Sequence, residues 1–283
     1  MTQPTAAQAG TVTLGGELTV NRIGLGAMRL TGDGVWGPPK DHKECSRVLR
    51  RAVELGVNFI DTADSYGPEL NETLIAATLH PYPAGLAIAT KGGYERPGPF
   101  RWKENGQPDH IRAACDGSLK RLKVDRIDLY QLHRIDPGVP ESDQFGVLDE
   151  LRREGKIRLI GLSEVGVDAI ERARKVVSIV SIQNRYNLGD RSSEDVVTYC
   201  EREGLAFIPW YPLAAGAVHE HAKIRQVARA RGDSPWQVAL AWLLARSRTM
   251  LPIPGTSKVA HLEENVAASG LSLDGDFDEL NRG

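Results

Sequence analysis

The chain has 283 residues, 25% of them charged, with a formal net charge of −2. That length suits one α/β barrel domain of about 250 residues, and the charge offers no basic surface for nucleic acid or an anionic membrane. Cys45, Cys115 and Cys200 are odd in number, far apart and outside any CxxC spacing, which argues against a disulfide framework or structural zinc and for a reducing, cytoplasmic setting.

Residues 1–10, MTQPTAAQAG, lack the basic start and apolar core of a signal peptide, and no stretch approaches the ~18 apolar residues of a membrane span. They read as a loose tail before a single domain over 11–283. Residues 11–14 and 18–20 flank Gly15 and Gly16 and predict a tight β-hairpin, placed to plug a barrel floor. Eight short β-rich apolar runs follow at 22–27, 57–61, 86–90, 127–132, 158–163, 179–183, 206–210 and 250–254. Helical spacing separates them, as at 42–55 behind an Asp41-x-x-Glu44 capping box, and at 108–122 with apolar Ile111, Ala114, Leu119 and Leu122. Eight alternations predict an α/β fold of the (β/α)8 TIM barrel class. An open doubly wound sheet is the rival, but Gly24 and Gly26 make only a fragment of G-x-G-x-x-G and open no helix.

Polar or aromatic residues stand at or just after seven strand ends: Asp61, Lys91, His133, Ser163, Gln183, Trp210 and Gly255. Barrel enzymes assemble their sites there. Tyr66, in the loop after Asp61, reaches the same mouth. If these groups converge, Lys91 lowers the Tyr66 pKa by favouring the phenolate, Asp61 keeps the buried ammonium charged, and His133 orients a substrate oxygen toward Tyr66 as proton donor. Taken singly, each residue has a plainer role: a helix cap, a solvated loop lysine, a satisfied histidine, a wall of the mouth. Asp61, Asp64 and His133 are also metal-ligand types, but Lys91 at the same mouth disfavours a metal.

With NFIDTADSYG, IATKGG, DLYQLHR, GKIRLIGLS, SIQNRYN, PWYPL and IPGTSKVAHLEEN, the chain resembles the aldo-keto reductases over essentially its whole length. The resemblance implies a catalytic tetrad of Asp61, Tyr66, Lys91 and His133, and NADPH (NADP+ after turnover) lying across the mouth without a Rossmann domain. Ser163 and Gln183 would then hold the nicotinamide carboxamide and Trp210 would stack on its ring. Gly26, Met28, Pro212 and Leu213 would also meet the cofactor. Gly255, Thr256, Ser257 and Lys258 would take the 2′-phosphate, joined by His261, with Glu264 and Asn265 at the adenine. Helix capping by Ser257 is the plainer reading of that turn. One departure is Glu164, where the family usually has Asn after the serine; an ionised carboxylate cannot donate as the amide does.

Within the family, GLGAMRLTGDGVWGPPKD and SYGPELNETLIAATLHPYP are most similar to bacterial pyridoxal reductases. This implies pyridoxal as the small-molecule carbonyl substrate, met by Arg29, Trp36, Trp102 and Arg134. A broad aldehyde reductase and a nicotinamide-sensing regulatory subunit with little turnover are the alternatives. A monomer or weak homo-oligomer is expected. Because the chain stops soon after its last helix, the resemblance also implies an open pocket.

Overall fold

A computed structural model describes residues 4–282. Seven parallel strands form one curled sheet: β3 (Leu25–Gly26), β4 (Phe59–Asp61), β5 (Ala87–Gly92), β8 (Ile127–Leu132), β9 (Ile157–Ser163), β10 (Ile179–Gln183) and β11 (Ala206–Phe207), each hydrogen-bonded to the next. The eighth run, expected at 250–254, closes the ring without becoming a regular strand. Phe207 N donates to Thr249 O (2.9 Å) and Leu251 N to Phe207 O (2.8 Å) on one edge, while Gly24 N donates to Pro252 O (3.0 Å) on the other. Pro252 and Pro254 have no amide hydrogen, so this segment cannot build a full ladder. Pro209 similarly limits β11 to two residues of the predicted five.

The barrel is filled by Phe59, Ala87, Ala89, Leu129, Leu159, Val180, Ile208, Leu251 and Ile253. The hairpin β1 (Thr11–Leu14) and β2 (Leu18–Asn21) closes the floor, with Val12, Leu14 and Val20 joining that interior cluster. Each such side chain contributes roughly 1.5–3 kcal/mol by burial. Gly15 sits at φ +59° with a Cβ position only 2.8 Å from Val180 Cγ1, so the turn tolerates no side chain against the floor.

Helices α1 (His42–Glu54), α2 (Leu70–Leu79), α3 (Pro108–Leu122), α4 (Glu141–Arg153), α5 (Val167–Arg174), α6 (Glu194–Glu203), α7 (Ala222–Arg231), α8 (Pro235–Arg246), α9 (Val259–Ala267) and α10 (Asp276–Asn281) surround the sheet. Only half of the expected capping box forms at α1. Asp41 Oδ1 accepts from Glu44 N (2.9 Å), but Glu44 Oε1 turns away to accept from Val259 N (3.0 Å), tying α1 to the start of α9.

Two segments depart from the sequence reading. Residues 6–9, expected to belong to a loose tail, form a packed 3-10 turn in which Ala6 is buried and its N–H donates to Leu55 O (2.8 Å); residues 1–3 of that tail lie outside the described residues. The second departure is an unpredicted hairpin, β6 (Tyr94–Gly98) with β7 (Arg101–Glu104), which rises over the mouth between β5 and α3. Its Pro97, Gly98 and Pro99 read as a loop, yet an edge ribbon tolerates proline. No helix among the described residues is long and apolar enough to cross a membrane.

Candidate active site

Asp61 ends β4, Lys91 lies near the end of β5 and His133 follows β8, so three adjacent strands deliver them to one end of the barrel. Tyr66 comes from the turn between β4 and α2. That turn is fixed to the neighbouring strand by Thr62 N to Ala89 O (2.8 Å) and Asp64 N to Lys91 O (3.2 Å), and to α2 by Thr62 Oγ1 to Asn71 Oδ1 (2.6 Å).

Lys91 is fully buried, and its Nζ donates to Asp61 Oδ1 (2.5 Å) and Thr62 O (2.8 Å) while standing 5.2 Å from the centre of the Tyr66 ring. Asp61 Oδ2 accepts from Gln131 Nε2 (3.0 Å) and Gln183 Nε2 (2.9 Å). The carboxylate is therefore satisfied on both oxygens, which makes a buried ion pair tolerable. Burial pulls the Lys91 pKa down, but Asp61 and Tyr66 overcome it and hold the ammonium above its ordinary value.

The expected lowering of Tyr66 does not hold. Burial pushes the phenol above its ordinary pKa, and Lys91, acting the other way, offsets only part of that effect. The reason is the dry setting: Tyr66 is 7% exposed, and Asp61 adds a nearby negative charge. His133 is held well below its usual value by burial, then by the charges of Lys91, Arg134 and Arg96. It is a neutral imidazole at neutral pH, with Ser65 Oγ 3.4 Å from Nδ1.

Aromatic rings enclose this pair. Trp102 meets Tyr66 edge-on (6.2 Å between centres), Tyr94 meets His133 (4.6 Å), and Trp36, half-buried, comes from the loop after β3, where it pairs with Gly67. Tyr94 and Arg96 escaped the sequence reading because they lie on the unpredicted hairpin; the alternation in YERPGPFRW was the available signal. Arg134 donates to His133 O (2.6 Å) and Ser163 Oγ (3.0 Å), so it stands between the tetrad and the end of β9. Arg29 is displaced from the expected substrate wall: it is exposed, and its Cγ lies beside Gly255.

The other half of the mouth is more open. Glu164, at φ +57°, accepts from Arg185 N (2.6 Å) and Trp210 Nε1 (2.5 Å), so the residue that replaces the usual Asn fixes the indole instead. Pro212 is buried beyond Trp210, and Leu213 is half-buried, as is Met28 after β3. Gly26 and Gly255 meet backbone to backbone: a Cβ on Gly26 would stand 2.6 Å from Ile253 O, and one on Gly255 2.7 Å from Gly26 O. At the head of α9, Thr256 is buried, Ser257 half-buried and Lys258 exposed. Thr256 Oγ1, not Ser257, accepts from Lys258 N (3.1 Å), because Thr256 is the residue turned into the loop. His261 is exposed on the first turn, with Glu264 half-buried and Asn265 buried behind it. Val259 N is already taken by Glu44 Oε1, but the next first-turn amides, of Ala260 and His261, have no intrahelical acceptor, and an exposed cation beside them, Lys258, with no carboxylate partner among the described residues, suits a phosphate. The cradle thus fits an extended phosphorylated cofactor.

The pattern of the Aldo/keto reductase family matches residues 22–280. An uncharacterised oxidoreductase of Schizosaccharomyces pombe is 54% identical over 269 residues, covering 95% of this chain and 87% of that protein. Pyridoxine 4-dehydrogenase of Escherichia coli is 40% identical over 270 residues, covering 93% and 94%. Among solved structures, an aldo/keto reductase from Klebsiella pneumoniae in complex with NADP and acetate is similar with a TM-score of 0.79 and 26% identity, covering 96% of this chain and 94% of that one.

Proposed function

The chain belongs to the aldo/keto reductase family, and from that premise we propose that it reduces pyridoxal to pyridoxine with NADPH, using Tyr66 as proton donor. The observation that carries the reading is the buried Asp61–Lys91 pair beneath Tyr66, facing a neutral His133. When bound, NADPH supplies the hydride. Tyr66 gives its proton to the carbonyl oxygen as charge develops there, and the Lys91 ammonium stabilises the phenolate left behind. Asp61 keeps Lys91 charged. His133, being neutral, donates an N–H to the same oxygen and aligns it with Tyr66.

Ser163 and Gln183 hold the carboxamide, Gln183 through the oxygen that its bonds to Asp61 and Gln131 leave free. Trp210, fixed by Glu164, covers the nicotinamide face, and Gly26, Met28, Pro212 and Leu213 line the cleft. Gly255, Thr256, Ser257, Lys258 and His261 receive the 2′-phosphate, with Glu264 and Asn265 toward the adenine. A cytoplasmic, monomeric or weakly self-associating enzyme fits this role.

Trp36, Trp102 and Tyr94 give flat walls for a pyridine ring. A phosphorylated substrate needs several free donors. Arg134 is engaged by His133 O and Ser163 Oγ, and Arg29 stands on the cofactor side. Pyridoxal phosphate is therefore a much poorer substrate. Comparing kcat/KM for pyridoxal, pyridoxal phosphate and benzaldehyde under NADPH tests this: pyridoxal should lead, and a pyridoxal value far below benzaldehyde sinks the vitamin B6 assignment while leaving carbonyl reduction in place.

A further inference from the structure

In the chemistry above Arg96 touches no reacting atom and only adds, behind burial, Lys91 and Arg134, to the charges that keep His133 neutral, yet its side chain is the most connected group at the mouth. Its Nε donates to Arg101 O (3.0 Å), Nη1 to Val35 O (3.1 Å) and Ser65 O (2.6 Å), and Nη2 to Gly34 O (2.9 Å). Those four carbonyls belong to three separate segments: the β6–β7 hairpin, the loop after β3, and the turn that carries Tyr66. The guanidinium also lies 3.6 Å from the centre of the Trp102 ring and 5.7 Å from that of Trp36. Among the described residues no carboxylate pairs with it. A cation spent wholly on backbone oxygens and two indole faces is not a substrate anion receptor.

The segments it joins also meet each other there. Phe100 N donates to Gly34 O (3.2 Å), and Gly67 N donates to Val35 O (3.2 Å), so Arg96 and a backbone amide share each acceptor. A two-stranded ribbon is marginal by itself, so β6–β7 depends on such anchors to hold Trp102 and Tyr94 over the tetrad. Only a planar fork with five donors satisfies four divergent carbonyls at once; an ammonium, with one nitrogen, cannot.

We propose that Arg96 is a positioning residue that clamps the loop after β3, the Tyr66 turn and the β6–β7 hairpin into one aromatic enclosure, and thereby sets the affinity for planar aromatic carbonyls over small aliphatic ones. The inference rests on carbonyl reduction beside Tyr66 and deepens it by naming what builds the substrate wall. Its contribution falls on KM, because the enclosure packs on the ring of the substrate while the reacting oxygen is addressed by Tyr66 and His133.

The test uses Arg96→Met and Arg96→Lys in the full chain, with two readouts. In steady state with NADPH, Arg96→Met should raise KM for benzaldehyde by about tenfold or more while leaving KM for propanal and the Kd for NADPH within about threefold. In amide exchange of the free protein, residues 33–37 and 95–104 should lose protection by about tenfold while β8 is unchanged. Arg96→Lys should follow Arg96→Met in both, since the charge remains but the fork is gone. Parent-like exchange in both variants, or a lysine variant with parent KM and exchange, overturns the clamp. Exchange needs no turnover, so a parent protein that reduces neither aldehyde defeats the functional reading alone, and the clamp is still judged by its protection pattern.

Discussion

The two halves of the barrel mouth are built on opposite principles. Where β4, β5 and β8 end, Asp61, Lys91, Tyr66 and His133 are buried, and both Asp61 oxygens and the Lys91 ammonium are engaged. Where the 250–254 segment runs into α9, Lys258 and His261 are exposed, and the approach is granted by two glycines rather than by charges. The first half is organised before any ligand arrives; the second is an open cradle whose cation is screened by water. Substitutions should thus be severe and partly structural in the first half, and graded, ligand-dependent and salt-sensitive in the second.

The largest effect should come from Lys91→Met, which strands Asp61 as a buried carboxylate. Removing one partner of a buried pair costs about 3–5 kcal/mol, so both turnover and thermal stability should fall. Tyr66→Phe should lose turnover by about 10²–10⁴ while keeping its melting temperature and NADPH affinity. If the two variants melt alike, the buried half is not held by its ion pair. Turnover of Tyr66→Phe above about a third of the parent rate removes Tyr66 from the acid role.

A smaller effect belongs to the open half. Lys258→Ala should weaken NADPH by about ten- to a hundredfold, the worth of a charge-assisted phosphate contact, while NADH is little changed. Titrations at two salt concentrations would show whether the loss shrinks as salt rises. Equal parent affinities for NADPH and NADH would contradict the assignment of this turn to the 2′-phosphate.

The smallest effect sharpens the picture of the buried half. Asp64 lies beside the tetrad with Oδ1 buried and lacking a hydrogen-bond partner among the described residues. Burial, then the Glu72 carboxylate, raises its pKa to about 8, while Arg121 and Ser65 work the other way. A carboxyl raised in the folded state stabilises the fold fully below its unfolded pKa of about 3.9, and that stabilisation is lost as pH rises through the folded value near 8. Asp64→Asn should therefore shift the melting temperature, relative to the parent, upward at pH 8 compared with pH 5. A difference of the opposite sign would show that Asp64 is ionised and paired in solution.

Much of this was legible in the sequence because apolar strand runs and the polar residues that end them are local signals. The limits of β8 and β10 match the predicted 127–132 and 179–183, and α3 matches 108–122. What failed depends on partners distant in the chain. Prolines hid the irregular closure at 250–254 and the β6–β7 hairpin. Glu44 reads as half of a local box, yet its carboxylate serves Val259, 215 residues away. The direction of the Tyr66 shift depends on how completely water is excluded, which spacing does not report. Glu164 was visible as a departure, but its hold on Trp210 needed coordinates.

The barrel closes where its first and last strand segments meet, and among the described residues that seam has a single backbone hydrogen bond, Gly24 N to Pro252 O, with the Arg22 guanidinium reaching across to Met250 O (3.2 Å) and Gly26 and Gly255 in backbone contact. Breathing of the barrel should begin along this join, which holds the two ends of the chain together. The same join lies under the proposed nucleotide cradle. A ligand spanning it fastens residue 26 to residue 255 and resists parting of the strands by mass action. A coenzyme held in that cradle would be the clasp of the barrel as well as its reactant, mending the fold along the join where it is weakly fastened.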